Sequence, residues 1–174
     1  MIERYGILKI GDQDVTIIGE DIQIGQVAPD FVVQAQDWSL VRGLEDTQGK
    51  VRILAAVPSL DTPVCDRETR RFNQEAASLD KDIVIEVIST DLPFAQKRWC
   101  GAAGVEQVMV LSDHLYVEFG QKYGCLIKER RILRRAVFVV NRQGIVTYVA
   151  YMPALGVEPN YDEVLQAAQE ALRQ

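Results

Sequence analysis

The chain has 174 residues, of which 48% are hydrophobic and 25% charged, a composition typical of a globular protein with a buried core. Its 19 basic and 25 acidic side chains give a formal net charge of −6, without a basic run, which argues against nucleic acid or acidic membrane surfaces as partners. The charged N-terminus and the lack of an apolar run of membrane-spanning length predict a soluble, cytoplasmic protein, and the length favours a single domain over residues 1–174.

The first third of the chain is predicted to form two β-hairpins. The first is "ILKIGDQDVTII", with a Gly-Asp-Gln-Asp turn, and the second is "DFVVQAQDWSLVRGLED", which turns near Gln36 and Asp37. The continuous apolar run from Arg52 to Val57 then predicts a central strand covered on both faces. A helix is predicted to follow from about Thr62 to Leu79, with an apolar stripe of Val64, Phe72, Ala76 and Leu79.

A second strand and helix follow the same order. The segment "IVIEVIS", Ile83 to Ser89, predicts a strand, and "DLPFAQKRWC" predicts a short helix. Asp91 is placed to cap this helix, Pro93 suits its first turn, and Gly101 is predicted to end it.

The last third of the chain completes the predicted fold. The strand "VMVLS" precedes a short helix that ends at Gly124, and "RAVFVVNRQGIVTYVAY" predicts a β-hairpin. The final helix begins at Asn160, which forms a predicted capping box with Glu163. Its apolar face is predicted to be Tyr161, Val164, Leu165, Ala168 and Leu172. Crossover helices imply parallel strands, so we predict an α/β thioredoxin-like sandwich with a mixed central sheet and an N-terminal β-hairpin extension.

The few cysteines and the single histidine limit the chemistry. Cys65, Cys100 and Cys125 are too few for a disulfide scaffold and form no C-x-x-C pair. With His114 as the only histidine, the ligand spacing of a zinc site is absent, and no metal or other cofactor is predicted. In a reducing compartment, a disulfide in this chain is predicted to be transient rather than structural.

Cys65 ends the stretch "PSLDTPVC", where a strand passes into a helix. The free N–H groups and partial positive charge of a helix start stabilise a thiolate. If the strand "AVFVV" runs antiparallel to Arg52–Val57, Arg135 at its start adds a positive charge at the same edge. Thr62 can cap the helix or donate to a bound oxygen, and Pro58 can shield the end of the strand. This arrangement suits attack on an electrophilic oxygen or sulfur.

Cys100 lies on the predicted helix after the next strand, which starts at the same sheet edge as the helix of Cys65. A helix of about ten residues places Cys100 roughly 15 Å from that edge. A disulfide needs Cα atoms within about 7 Å of each other. We therefore expect the two cysteines to meet only if the short helix unwinds near Trp99 and Gly101.

The longer blocks "PSLDTPVCDRETRRFN", "STDLPFAQKRWCGAAGV", "RAVFVV" and "EPNY" resemble the bacterial thiol peroxidases, which are atypical two-cysteine peroxiredoxins, over nearly the whole chain. The resemblance implies that Cys65 is the peroxidatic cysteine and Cys100 the resolving cysteine of the same chain. It implies that Thr62 and Arg135 hold the peroxide and that Pro58 shapes the pocket. It also implies hydrogen peroxide and organic hydroperoxides as substrates, thioredoxin as reductant, and a homodimer.

Other interpretations of these residues stay open at this point. Cys65 could be the nucleophile of a hydrolase with His114 as base, or the chain could be a non-enzymatic redox-sensing thiol module. Arg135 could belong with Arg134 to a solvated basic loop. Cys125 has no place in the resembling motifs and is predicted to be a small buried side chain.

Overall fold

The computed structural model describes residues 1–174. The strands are β1 (Glu3–Ile10), β2 (Gln13–Ile18), β3 (Val32–Gln34), β4 (Leu40–Arg42), β5 (Val51–Ala56), β6 (Ile83–Ser89), β7 (Met109–Ser112), β8 (Leu126–Ile127), β9 (Ile132–Leu133), β10 (Ala136–Val140) and β11 (Val146–Tyr151). The helices are α1 (Pro63–Ala76), α2 (Pro93–Ala103), α3 (Glu118–Lys122) and α4 (Tyr161–Leu172). None of these helices is long and apolar enough to cross a membrane.

The central sheet has seven strands in the order β11-β10-β5-β6-β7-β3-β4. Strands β5, β6 and β7 are parallel, whereas β10 pairs antiparallel with both β5 and β11. Every residue of β5 and β10 is buried, because apolar side chains project into a separate core on each face of the sheet. The predicted mixed sheet and the central position of "VRILAA" are confirmed.

The N-terminal hairpin belongs to a second, four-stranded antiparallel sheet, β1-β2-β8-β9. The hairpin extension is therefore confirmed, but the sequence analysis missed its partners. Strands β8 and β9 are two residues each and flank the charged turn "KERR", a region where no strand was predicted. Strands this short carry no detectable alternation, so the pairing depends on tertiary contacts.

The predicted apolar stripe of α1 is confirmed in part: Phe72 is fully buried and Ala76 and Leu79 pack against the core, but polar residues share the buried face. The buried residues of this helix are Cys65, Glu68, Thr69 and Phe72, whereas Val64 and Ala76 are half-buried. A polar side chain can face the interior when a partner inside satisfies it, and hydrophobicity alone does not reveal that partner. The helix also ends at Ala76 instead of Leu79.

Helix α2 ends three residues later than predicted. Its C-terminal cap is Gly104, whose φ of +68° is a conformation that glycine adopts without a steric cost, and not Gly101. Asp91 does not cap this helix, because residue 92 takes the N-cap position and makes no side-chain cap. Asn160 does cap α4, accepting from the Glu163 amide at 3.2 Å, but no return bond from Glu163 closes the predicted box.

Glu86 carries a testable prediction about stability. It is 0% exposed on β6, and neither carboxylate oxygen has a hydrogen-bond partner. Burial raises its pKa from the ordinary 4.5 to about 8, against the attraction of Arg52. Because the pKa of Glu86 is higher in the folded chain than in the unfolded chain, ionisation of this carboxyl lowers the free energy of unfolding. The loss is absent in acid and grows as the pH rises from about 4.5 to about 8.

Glu86→Gln is therefore expected to raise the free energy of unfolding at pH 7 by on the order of 3 kcal/mol. The gain should shrink towards pH 4.5 and level off above pH 8. Urea unfolding across this pH range measures it, with the exposed Glu106→Gln as control. A gain that does not change with pH would contradict the buried, titrating carboxylate.

Candidate active site

Cys65 sits in the first turn of α1, and the loop between β5 and α1 places it there. Thr62 is the N-cap of the helix: its hydroxyl oxygen accepts from the Cys65 amide at 3.3 Å. The same hydroxyl donates to the Ser59 carbonyl at 3.0 Å, which closes the loop. Pro63 follows at the first helical position, where a missing N–H costs nothing.

Two donors point at the Cys65 sulfur. Arg135 Nη2 lies 3.1 Å from Sγ, and the Ser59 amide donates to the same sulfur at 3.5 Å. The antiparallel pairing of β10 with β5 joins Ala136 to Ala56, so the residue before β10 arrives where β5 ends. A fixed cation and an N–H donor beside the sulfur stabilise a thiolate there.

The guanidinium of Arg135 is held on every side. It is 1% exposed, pairs with Glu68, and donates to the Leu155 carbonyl through Nε at 3.0 Å and Nη2 at 2.9 Å. Although burial opposes it, the negative charges of Glu68 and Cys65 raise the pKa of Arg135. This geometry is that of a rigid, permanently charged donor rather than of a solvated basic loop.

Glu68 is a site residue whose role the sequence analysis missed. In the structure its carboxylate pairs with the Arg135 guanidinium and orients it. Burial raises its pKa to about 7, and the attraction of Arg135 counters that rise. The available signal was spacing, because a residue three positions after Cys65 on a helix shares its face.

Arg134 points away from the sulfur. Its guanidinium carbon lies 4.5 Å from the centre of the Tyr151 ring, and Nη1 lies 3.5 Å from a carboxylate oxygen of Asp21. Neighbouring residues at the start of a strand face opposite sides of the sheet, and the pairing of β10 sends Arg135 to the side of Cys65. Arg135, and not Arg134, is therefore the arginine that contacts the Cys65 sulfur.

A cavity of about 300 Å³ opens beside this cluster. The predicted residues Pro58, Thr62 and Arg135 all line it, together with Val64 and Leu155. Its remaining wall is formed by Ser59, Arg130, Ile132 and Gly156. The segment "YMPALG" thus contributes Leu155 and Gly156 to the wall. A small molecule in this cavity would contact both apolar side chains and the Arg135 guanidinium.

Asp91 anchors the loop that carries the site. Its carboxylate accepts from the Ser59 hydroxyl at 2.7 Å and from the Leu60 amide at 2.9 Å. It also accepts from the Ser89 hydroxyl at 2.7 Å. The residue that we had predicted as a cap of α2 therefore ties the end of β6 to the Cys65 loop.

Cys100 is buried in the last part of α2 and forms no disulfide. Its sulfur accepts a hydrogen bond from Gln36 Nε2 at 3.4 Å, in the turn between β3 and β4. Burial raises the pKa of the Cys100 thiol, and the Gln36 bond opposes that rise in part. The sulfurs of Cys65 and Cys100 thus have separate partners on separate elements, although both belong to one core cluster.

The other two residues under consideration lie elsewhere. Cys125 is fully buried, its thiol donates to the Tyr123 carbonyl at 3.4 Å, and burial raises its pKa. His114 follows β7 and makes an edge contact with the Trp38 ring at 5.9 Å between centroids. It makes no contact with Cys65, whose partners are Arg135 and Ser59, so no Cys-His pair is formed. No group of three His, Cys, Asp or Glu side chains could hold a metal ion.

Known proteins resemble this chain over most of its length. The Redoxin family model matches residues 23–165. A thiol peroxidase of Halalkalibacterium halodurans is 49% identical over 91% of this chain and 94% of that protein. A thiol peroxidase of Oceanobacillus iheyensis is 51% identical over 87% of this chain and 91% of that protein. The crystal structure of a peroxiredoxin-like protein from Aquifex aeolicus superposes with a TM-score of 0.86, at 39% identity, over 95% of this chain and 96% of that one.

Proposed function

The chain belongs to the Redoxin family and is a thiol peroxidase of the peroxiredoxin type, and on this premise we propose that Cys65 is its peroxidatic and Cys100 its resolving cysteine. A peroxidase of this type consumes a hydroperoxide and a thiol reductant. The observation that carries the assignment is the position of the Arg135 guanidinium. It lines the cavity and lies 3.1 Å from the buried Cys65 sulfur.

In the first step, the Cys65 thiolate attacks the terminal oxygen of the hydroperoxide. The O–O bond breaks, the sulfur becomes a sulfenic acid, and the released alkoxide takes a proton to leave as an alcohol or as water. Arg135 stabilises the attacking thiolate and the charge that develops on the leaving oxygen. The Thr62 hydroxyl orients the peroxide, and Pro58 keeps the reacting atoms out of bulk water.

In the second step, the Cys100 thiol attacks the sulfenic sulfur, water leaves, and an intramolecular disulfide forms. Because Cys100 is buried in α2 and its sulfur accepts a hydrogen bond from Gln36, this step needs a local opening of the helix. A helix of eleven residues has little stability of its own, so the cost of opening is small compared with global unfolding.

Peptide mapping after one equivalent of hydroperoxide tests both assignments. We expect loss of two thiols per chain and a Cys65–Cys100 linkage, with Cys125 still reduced. Cys100→Ser should allow one oxidation of Cys65 at the wild-type rate and then stop, with the sulfenic acid trapped by dimedone. A reduced Cys65 after peroxide treatment would refute the proposal.

We further propose thioredoxin as the reductant, acting in the cytoplasm. The product is an intramolecular disulfide, and a dithiol protein reduces such a bond by exchange through a mixed disulfide. Turnover with thioredoxin and its reductase, compared with glutathione and its reductase, tests the first point. Equal or faster turnover with glutathione would contradict it. Cell fractionation tests the compartment.

We also propose a homodimer. The aromatic side chains near α2 and α3 divide into two groups: Phe119 and Tyr123 belong to the core, whereas Phe94 and Tyr116 are 69% and 53% exposed. Phe94 lies 4.9 Å from Trp38, ring to ring, which supports an apolar patch that a second copy would cover. Sedimentation of Phe94→Glu should show a shift from dimer to monomer, and a wild-type monomer would end this proposal.

A further inference from the structure

One face of α1 carries three polar side chains, Asp66, Arg70 and Asn73, which we call the α1 stripe. Their spacing of four and three residues aligns them along one side of the helix. The stripe begins at the residue after Cys65 and runs towards the C-terminal end of α1. Its partners all lie in the C-terminal part of α2 or directly behind it.

The first two members of the α1 stripe hold the end of α2. Asp66 Oδ1 accepts from the indole N–H of Trp99 at 3.0 Å. Arg70 Nη1 lies 3.4 Å from the Ala103 carbonyl, and the guanidinium carbon is 5.7 Å from the centre of the Trp99 ring. Asp66 and Arg70 also pair with each other at 3.0 Å. Cys100 lies between the two α2 residues that these side chains contact.

Asn73 holds the chain that leaves α2. Its side-chain oxygen accepts from the amides of Glu106 and Gln107 at 3.2 and 2.7 Å. The first half of α2 is anchored independently by Gln96, whose Nε2 donates to the Leu111 carbonyl at 2.8 Å. Gln96 is fully buried, whereas the Asp66 and Arg70 side chains are 33% and 46% exposed.

This difference in exposure determines which half of α2 opens. A hydrogen bond between exposed groups is replaced by hydrogen bonds to water at a small cost in free energy. Opening around Gln96 would instead leave buried polar atoms without hydrogen-bond partners. The half of α2 that carries Cys100 is therefore the half that separates from the protein at lower cost.

We propose that the α1 stripe is a polar latch that sets the rate of the second, disulfide-forming step. The proposal rests on the function proposed above, in which the Cys65 sulfenic acid and the Cys100 thiol condense to a disulfide and one water. While the latch is closed, Cys100 stays in α2. Breaking the contacts to Trp99, Ala103, Glu106 and Gln107, together with the Gln36 hydrogen bond to the Cys100 sulfur, frees it to reach the sulfenic sulfur. Asp66, Arg70 and Asn73 are thus positioning residues, and none needs to touch the peroxide.

The experiment separates the two chemical steps by rapid quench in acid, thiol alkylation and mass spectrometry. The second-order oxidation of Cys65 depends on peroxide concentration, whereas the condensation is first order and independent of it. Asn73→Ala, seven residues or more from both cysteines in the sequence, should accelerate the first-order step about fivefold, as loss of ~1 kcal/mol of restraint implies. It should leave the second-order step unchanged.

Two further variants sharpen the test. Asp66→Ala should accelerate condensation to a similar extent, whereas Asp66→Asn retains an oxygen acceptor for the indole and should restore most of the restraint. Gln74→Ala, an exposed position of the same helix, is the matched control and should match wild type in both steps. Hydrogen exchange of residues 99–107 should rise in the latch variants and not in the control.

The outcomes distinguish the latch from the function on which it rests. If wild type forms no Cys65–Cys100 disulfide, the proposed function fails. If the disulfide forms, and Asn73→Ala and Asp66→Ala condense at the wild-type rate or more slowly, the latch is refuted. Faster condensation in Gln74→Ala as well would also refute it, because the effect would then belong to α1 as a whole.

Discussion

Cys65→Ser is expected to lower peroxidase turnover by about a thousandfold or more, to the background of the reductant alone. The serine hydroxyl stays protonated near neutral pH, and oxygen is a poor nucleophile towards peroxide oxygen. The Arg135 guanidinium, 3.1 Å from the sulfur, stabilises an anion that serine does not form. A coupled assay with hydroperoxide, thioredoxin and thioredoxin reductase measures the loss.

Cys125→Ser is the matched control for this variant. Both thiols are completely buried, but Cys125 donates to the Tyr123 carbonyl, whereas the Cys65 sulfur accepts from the Arg135 guanidinium. Its replacement should leave turnover within about twofold of wild type, with at most a modest loss of stability. Comparable losses in the two variants would show that burial, and not chemistry at Cys65, explains the effect.

Arg135→Lys is expected to lower the second-order rate constant for Cys65 oxidation by about a hundredfold, the usual cost of losing one well-placed donor to a developing charge. An ammonium keeps the charge but cannot reach Glu68, the Leu155 carbonyl and the Cys65 sulfur at once, as the planar guanidinium does. Stopped-flow oxidation under a range of peroxide concentrations measures this constant directly.

The control is Arg134→Lys, a second buried arginine one residue away. Its guanidinium stacks on Tyr151 and faces Asp21, outside the cavity. Replacement there should reduce stability without changing the oxidation rate constant. A wild-type rate constant in Arg135→Lys would remove Arg135 from the proposed mechanism, and an equal loss in Arg134→Lys would indicate a general effect of charge at this strand.

The order of strands and helices could be predicted because it depends on local patterns. Continuous apolar runs such as Ile53–Val57 mark buried parallel strands, and turn residues such as Asn141–Gly144 mark hairpins, without any information from distant parts of the chain. Helix ends were predicted less well. Gly101 and Gly104 could each end a helix. In the structure α2 extends to Gly104, where Arg70 of the α1 stripe contacts the Ala103 carbonyl.

The sequence by itself determined the position of Cys65 at a helix start, because Thr62 and Pro63 are local signals for the cap and the first turn. It also determined the central sheet through the period and length of its apolar runs. Only the tertiary structure decided which charges meet. Glu68, for which no role was predicted, is the partner of Arg135, and Asp91, which was predicted to cap a helix, anchors the Cys65 loop. The reason is physical: a buried charge is tolerated only where another element supplies its partner, and partners from distant segments leave no trace in local periodicity.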